Sequence, residues 1–261
     1  MAGRARDHVD ESIARQPPMT AADAILGHLK VVDAERQRRV ALPELDARVH
    51  SLKEYQQRRF SQTYADLLLS TRYGAASRYF LDELYGAKDF TRRDRQFARV
   101  APAIVRLFPS ELAQTIVTLA ELHALSETLD TAMGMQLTIA RIGAVDYIRA
   151  WQGVGCAPDR ERQIALTLGI AAQLDRLTRL PLLRNSLRLM RGPSRAAGLS
   201  ELQRVLETGF DTFRAMKGAQ EFIALIGSRE RDFAAVLFAA QPNGADADSS
   251  MQRALASLPS P

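Results

Sequence analysis

Apolar residues recur at every third or fourth position through most of the chain, and the alternation of a β-strand persists nowhere. The longest such stretch runs from Ser110 to about Thr138, SELAQTIVTLAELHALSETLDTAMGMQLT, with no proline and one glycine. At about 100° per residue, Leu112, Ile116, Leu119, Met133 and Leu137 fall on one side, which predicts a long helix with that stripe on the core. His123 and Asp130 project into the stripe, and Ser126 and Glu127 flank it. A buried polar group left unpaired costs ~1–3 kcal/mol, so these four side chains need partners.

The same period predicts the other helices. Thr20, with Asp23 three residues on, caps a helix that carries Ile25, Leu29 and Val32 and fades by Ala41. Pro43 fits the first turn of a helix over about 43–70. Further helices are expected from Tyr73 to Leu84, ended by Gly86, over about 91–107 with a kink or break at Pro102, and from Ala140 to about Trp151. Asp159 is expected to cap 160–178; Pro181 opens a helix that ends at Gly192-Pro193. A long helix begins at Ser200 and bends at Gly218, and Ser228 caps the last one. The reading is all-α: a single bundle-like domain of about nine or ten helices with a long central helix. Residues 1–19 are expected to be a disordered leader, 20–240 the helical domain with a weak boundary near 152–158, and 241–261 a disordered tail with one short helical turn at 250–256.

With 46% hydrophobic and 25% charged residues, the chain has material for an ordinary globular core. The formal net charge is +5, and of 35 basic residues only four are lysine, which permits an anionic partner without requiring one. Cys156 stands alone, so no intrachain disulfide forms and a reducing compartment is expected. The N-terminus lacks the apolar core of a signal peptide, and no run of about 18 apolar residues predicts a membrane span; the expected location is the cytoplasm. Phosphate-loop, dinucleotide-binding, paired-cysteine, zinc-protease and serine-hydrolase signatures are all missing, so no catalytic residue is assigned, no cofactor is indicated by motif, and a non-enzyme is favoured.

Three stretches remain that carry chemistry. His123 and Glu127 are one turn apart, and Asp130 lies on nearly the same face, so a carboxylate beside an imidazole could tune a base or orient a metal ligand. These three are the candidate cofactor or metal residues. Di-metal bundles use two Glu-x-x-His pairs, and only one reversed set occurs here; the plainer reading is a core histidine satisfied by a carboxylate or an arginine. The run RYFLDELYGAKDFTRRD, from Arg78 to Asp94, offers Tyr85, Lys88, Arg92 and Arg93 to an anion or a partner, or else is a structural corner plugged by Phe80, Leu84, Tyr85 and Phe90. From Arg176 to Arg195 there are six arginines and no acid; Arg184, Arg188 and Arg191 share one helical face opposite leucines, which suits an acidic partner or an anionic surface, or is a solvated face of a core helix.

The stretches YGAASRYF, FLDELYGAKDFTRRD at 80–94 and GFDTFRAMKGAQEFIALIGSRE at 209–230 resemble an all-helical family of bacterial proteins, a domain of unknown function, over roughly 50–230. The resemblance implies a bacterial cytosolic helical domain and brings no activity or site residue with it. Taken together, the sequence points first to a protein-interaction or regulatory module. The alternative is a helical-bundle enzyme, or a haem, metal or small-ligand binder centred on His123, which requires a cavity of roughly a few hundred Å³ at that helix. A weaker alternative is nucleic-acid binding through the arginine-rich helix.

Overall fold

Thr20 opens the first helix as its spacing predicts. Its Oγ1 accepts from the Asp23 N–H at 3.1 Å while the Asp23 carboxylate accepts from the Thr20 N–H at 3.1 Å, a reciprocal capping box. The computed structural model describes residues 19–83, 90–107, 110–138, 141–240 and 247–259. The elements are α1 (Ala21–Val40), α2 (Pro43–Thr63), α3 (Ala65–Leu69), α4 (Gly74–Glu83), α5 (Thr91–Leu107), α6 (Ser110–Gln136), α7 (Ala144–Val154), α8 (Ala157–Leu177), α9 (Pro181–Leu189), α10 (Arg191–Ala196), α11 (Ser200–Ala215), α12 (Gln220–Ala239) and α13 (Ala247–Ala256). Among the described residues there is no strand, and the all-α class and single domain stand. No helix of the described residues is long and apolar enough to cross a membrane.

Several boundaries differ from the sequence expectation, each for a local reason. The helix expected over 43–70 breaks at Tyr64, and α5 runs through Pro102 without ending. α8 starts before Asp159: Gly155 and Cys156 both adopt left-handed φ values (63° and 53°), the chain turns there, and Pro158 takes its favoured place in the first turn. Ser228 caps nothing; it lies inside α12, where its hydroxyl donates to Asp232 at 3.3 Å. The break before α12 falls instead at Lys217 and Gly218, with φ of 54° and 116°. Gly192 and Pro193 lie inside α10 rather than ending a helix. Within the stretch expected as a tail, α13 docks, burying Ala254 and Leu258 with Tyr55, Tyr147 and Trp151, and Tyr55 donates to the Pro259 carbonyl at 3.2 Å. The spacing Met251, Ala254, Leu258 is an apolar helical face too short to stand out in sequence. Residues 1–18, 84–89 and 241–246, and with them Tyr85, Gly86 and Lys88, lie outside the described residues.

α6 is the axis of the molecule. It packs on α1, α2, α5, α7 and α8, and its buried residues run all round it rather than along one stripe. A helix enclosed on most sides loses its amphipathic signature. Leu119, expected in the core, is exposed. At Gly134 a Cβ would collide with the Val49 side chain, so glycine is what lets α2 lie close to α6. α7 and α8 both pack on α6 and α12, which ties the two sides of the segment 152–158 to the same core.

Candidate functional site

α6 and α8 run antiparallel: Arg160 reaches Met133 at 3.0 Å, and three residues further along α8 Gln163 donates to the Ser126 hydroxyl at 2.8 Å. Between them and the surrounding helices lies a cavity of about 250 Å³. Its α6 wall extends from Leu112 to Asp130, about 27 Å at 1.5 Å per residue, so the space is a narrow slot. The wall is graded. Toward Leu112 it is apolar, with Phe97, Ile116, Ala120 and Leu174; toward Asp130 it is polar, with Glu127, Gln163, Trp151 and Arg160.

The polar part is a chain of charge-assisted contacts. Asp94 on α5 takes the Arg36 guanidinium at 2.6 Å and His123 Nε2 at 2.8 Å. An ionised carboxylate only accepts, so His123 Nε2 carries the hydrogen, and the Arg36 nitrogen 3.4 Å from the same Nε2 is bonded to Asp94 instead. Glu127 is clamped by Arg39 at 2.6 Å and Lys53 at 2.6 Å, and Arg39 also donates to Thr131 at 2.9 Å. Asp130 accepts from Gln56 at 3.0 Å, with Lys53 3.8 Å away. Glu230 accepts from Arg59 at 2.5 Å and from the Tyr64 hydroxyl at 2.6 Å.

Electrostatics separate these carboxyls. Burial alone pushes the Glu127 carboxyl up, but Lys53 and Arg39 outweigh it and hold it at about 2. Burial likewise opposes ionisation of Asp94, but the His123 hydrogen bond and charge, the Arg93 charge and the Arg36 hydrogen bond bring it down to about 2. Asp130 goes the other way: burial raises it, the Glu127 charge adds to the rise, and the distant Lys53 does not reverse it. The difference between residues 127 and 130 is the distance of the nearest cation, 2.6 Å against 3.8 Å.

Of the candidates drawn from sequence, His123, Glu127 and Asp130 do line one cavity, but each is already engaged. Among the described residues no three His, Cys, Asp or Glu side chains are grouped to hold a metal ion, and the cations clamping Glu127 suit a carboxylate rather than a metal ligand. Arg93 reaches this site, lying 3.9 Å over the Phe90 ring and 3.4 Å from Asp94; Arg92 is exposed. Arg184 pairs with Asp211 at 3.0 Å and Arg191 grips Glu207, so two of the three arginines on that face have an acid on α11, and Arg188 stays exposed. What the sequence did not single out were Asp94, Arg36, Arg39, Lys53 and Arg160. Their one common signal is negative: Glu127 and Asp130 on a buried helix demand donors, and α1, α2 and α8 are where those donors lie.

An all-helical chain folded around a graded internal slot is the class that fold and site define. The family model described as Domain of unknown function (DUF8198) matches residues 35–244, and the chain belongs to that family. The match takes in both stretches at 80–94 and 209–230 and the polar part of the slot, and leaves α13 outside. No curated protein matches the chain, and no solved structure does.

Proposed function

We propose that this protein binds a small, elongated and mainly apolar molecule in the slot between α6 and α8. One observation carries the reading: a space of about 250 Å³ inside an otherwise packed helical core, apolar at one end and lined by already paired charges at the other. Protein interiors hold few voids larger than a water molecule, so a cavity of this size calls for an occupant. Cys156 is the only cysteine and is exposed, which supports action in a reducing compartment such as the cytoplasm. The experiment uses Trp151, the only tryptophan, which lies on the wall. Titration with 1-octanol should change its emission saturably, and Ile164→Phe, which fills the slot, should weaken that response. A linear, unsaturable response in the native chain would remove the reading.

A second reading, an interaction module, has its own observation. α9 and the residue before it leave Leu180, Leu182 and Leu189 exposed by 47%, 78% and 79%, an apolar patch beside Arg188. If that patch serves association, Leu182→Ser with Leu189→Ser should abolish a concentration-dependent rise in sedimentation coefficient; a native chain that sediments identically at all concentrations gives this reading no support.

A further inference from the structure

Each carboxylate on the slot wall has a cation or a neutral donor against it, yet one cation has no carboxylate. Arg160 on α8 is 3% exposed. Its contacts are all neutral: Gln163 Oε1 at 3.2 Å, Met133 Sδ at 3.0 Å, and the Trp151 ring 3.9 Å below its guanidinium. No described carboxylate oxygen lies within 4.0 Å of it, and its Nε has no hydrogen-bond partner. Trp151, against which the guanidinium stacks, is 7% exposed, and its indole N–H also lacks an acceptor. A buried charge without a partner is costly, and a buried N–H without an acceptor costs ~1–3 kcal/mol more. Arg160 and Trp151 both line the slot, so two unpartnered donors, one of them cationic, lie on the same part of its wall.

We propose that the ligand carries a single carboxylate, held by Arg160 and the Trp151 indole N–H, with an unbranched aliphatic body lying along α6 toward Leu112. This rests on the slot being a binding site and adds the chemistry of the ligand. The arrangement explains the grading of the wall. Arg160, level with Met133, sits at the polar end, while Leu112, Ile116 and Leu174 line the far end, where a hydrocarbon tail finds mainly apolar neighbours. Guanidinium recognises carboxylate through two parallel N–H donors, and the Arg160 Nε is the nitrogen without a partner here. Asp130 does not fill this role: it lies beyond ion-pair distance of Arg160, is hydrogen-bonded to Gln56, and burial disfavours its ionised form.

The test compares octanoate with 1-octanol, which share a chain and differ in the head. Calorimetric titration of the full chain should show octanoate binding at least about ten-fold more tightly. Arg160→Met should bring the two ligands to equal affinity by weakening octanoate alone. Arg160→Lys, which keeps the charge and loses the fork, should keep part of the preference and covers the case in which the methionine variant does not fold. Equal affinities in the native chain, or a preference that survives both substitutions, would overturn the carboxylate assignment while leaving the slot a binding site. If neither compound binds, the binding reading falls and this inference falls with it.

Discussion

On α9, Arg184 lies 3.0 Å from Asp211 and Arg191 grips Glu207, both acids on the adjoining α11. On α8, Arg160 is buried with only neutral contacts. The first region has arginine in abundance and most of it is answered; the second has one arginine facing the slot and it is not. The density of charge along a sequence therefore says little about where unbalanced charge lies in space. What decides is whether an acid on a neighbouring helix comes within reach, and the same rule separates Glu127, with two cations at 2.6 Å, from Asp130, whose cation is 3.8 Å away.

The contrast breaks or sharpens most visibly on acidification. Glu127 and Asp94 have carboxyls held at about 2, below their ordinary values of 4.5 and 3.8. A depressed folded-state value gives stability that is complete above the ordinary value and is lost as pH falls toward the depressed one. Chemical denaturation followed from pH 6 to pH 2 should therefore show a loss of ~3 kcal/mol from Glu127 and ~2 kcal/mol from Asp94, concentrated below about pH 4.5. Asp130 is raised and works in the opposite sense, losing stability as pH rises through its folded value. A flat profile over that range would mean that the slot's carboxylates are no better paired than the exposed acids facing α9.

Next in size is removal of a clamped partner. Glu127→Ala leaves Arg39 and Lys53 facing one another beside a buried void and should cost about 3–5 kcal/mol in urea unfolding. A loss under ~1 kcal/mol would place the cluster with ordinary surface pairs.

How far the sequence foretold this differs between regions. Thr20 with Asp23, Pro43 and the Ser110 stretch carry local signals, and the helices they mark are where the signals put them. Signals that depend on a turn were misplaced: Asp159 looked like a cap because nothing in VGCAP reveals that Cys156 takes a left-handed backbone. At the site, the polar residues of α6 were visible as intruders on an apolar stripe. Their partners were not, because Arg36, Arg39, Lys53 and Arg160 sit among surface-like residues on other helices, and only the packing of α1, α2 and α8 on α6 brings them inward. Arg160 was the least legible of all: DRERQ at 159–163 reads as an exposed first turn.

Smaller effects sharpen the comparison at single residues. Arg160→Met removes a buried charge that has no acid, and should leave stability unchanged or raise it by up to about 2 kcal/mol. Asp130→Asn should also be neutral to stabilising at pH 7, since burial already favours the uncharged form. A strong loss in either variant would show that Asp130 and Arg160 balance one another across the slot. Arg184→Ala, at a partly exposed pair, should cost only ~0.2–1 kcal/mol, with the difference shrinking in high salt.

The most direct measurement is the orientation of bound octanoate, read from intermolecular nuclear Overhauser effects on the labelled chain. The slot reading predicts contacts from the methylene next to the carboxylate to the Trp151 indole, and from the terminal methyl to Ile164 and Leu168, which line the slot one to two turns along α8 from Arg160. Contacts confined to Leu182 and Leu189 on the exposed face of α9, with none to Trp151, would contradict it.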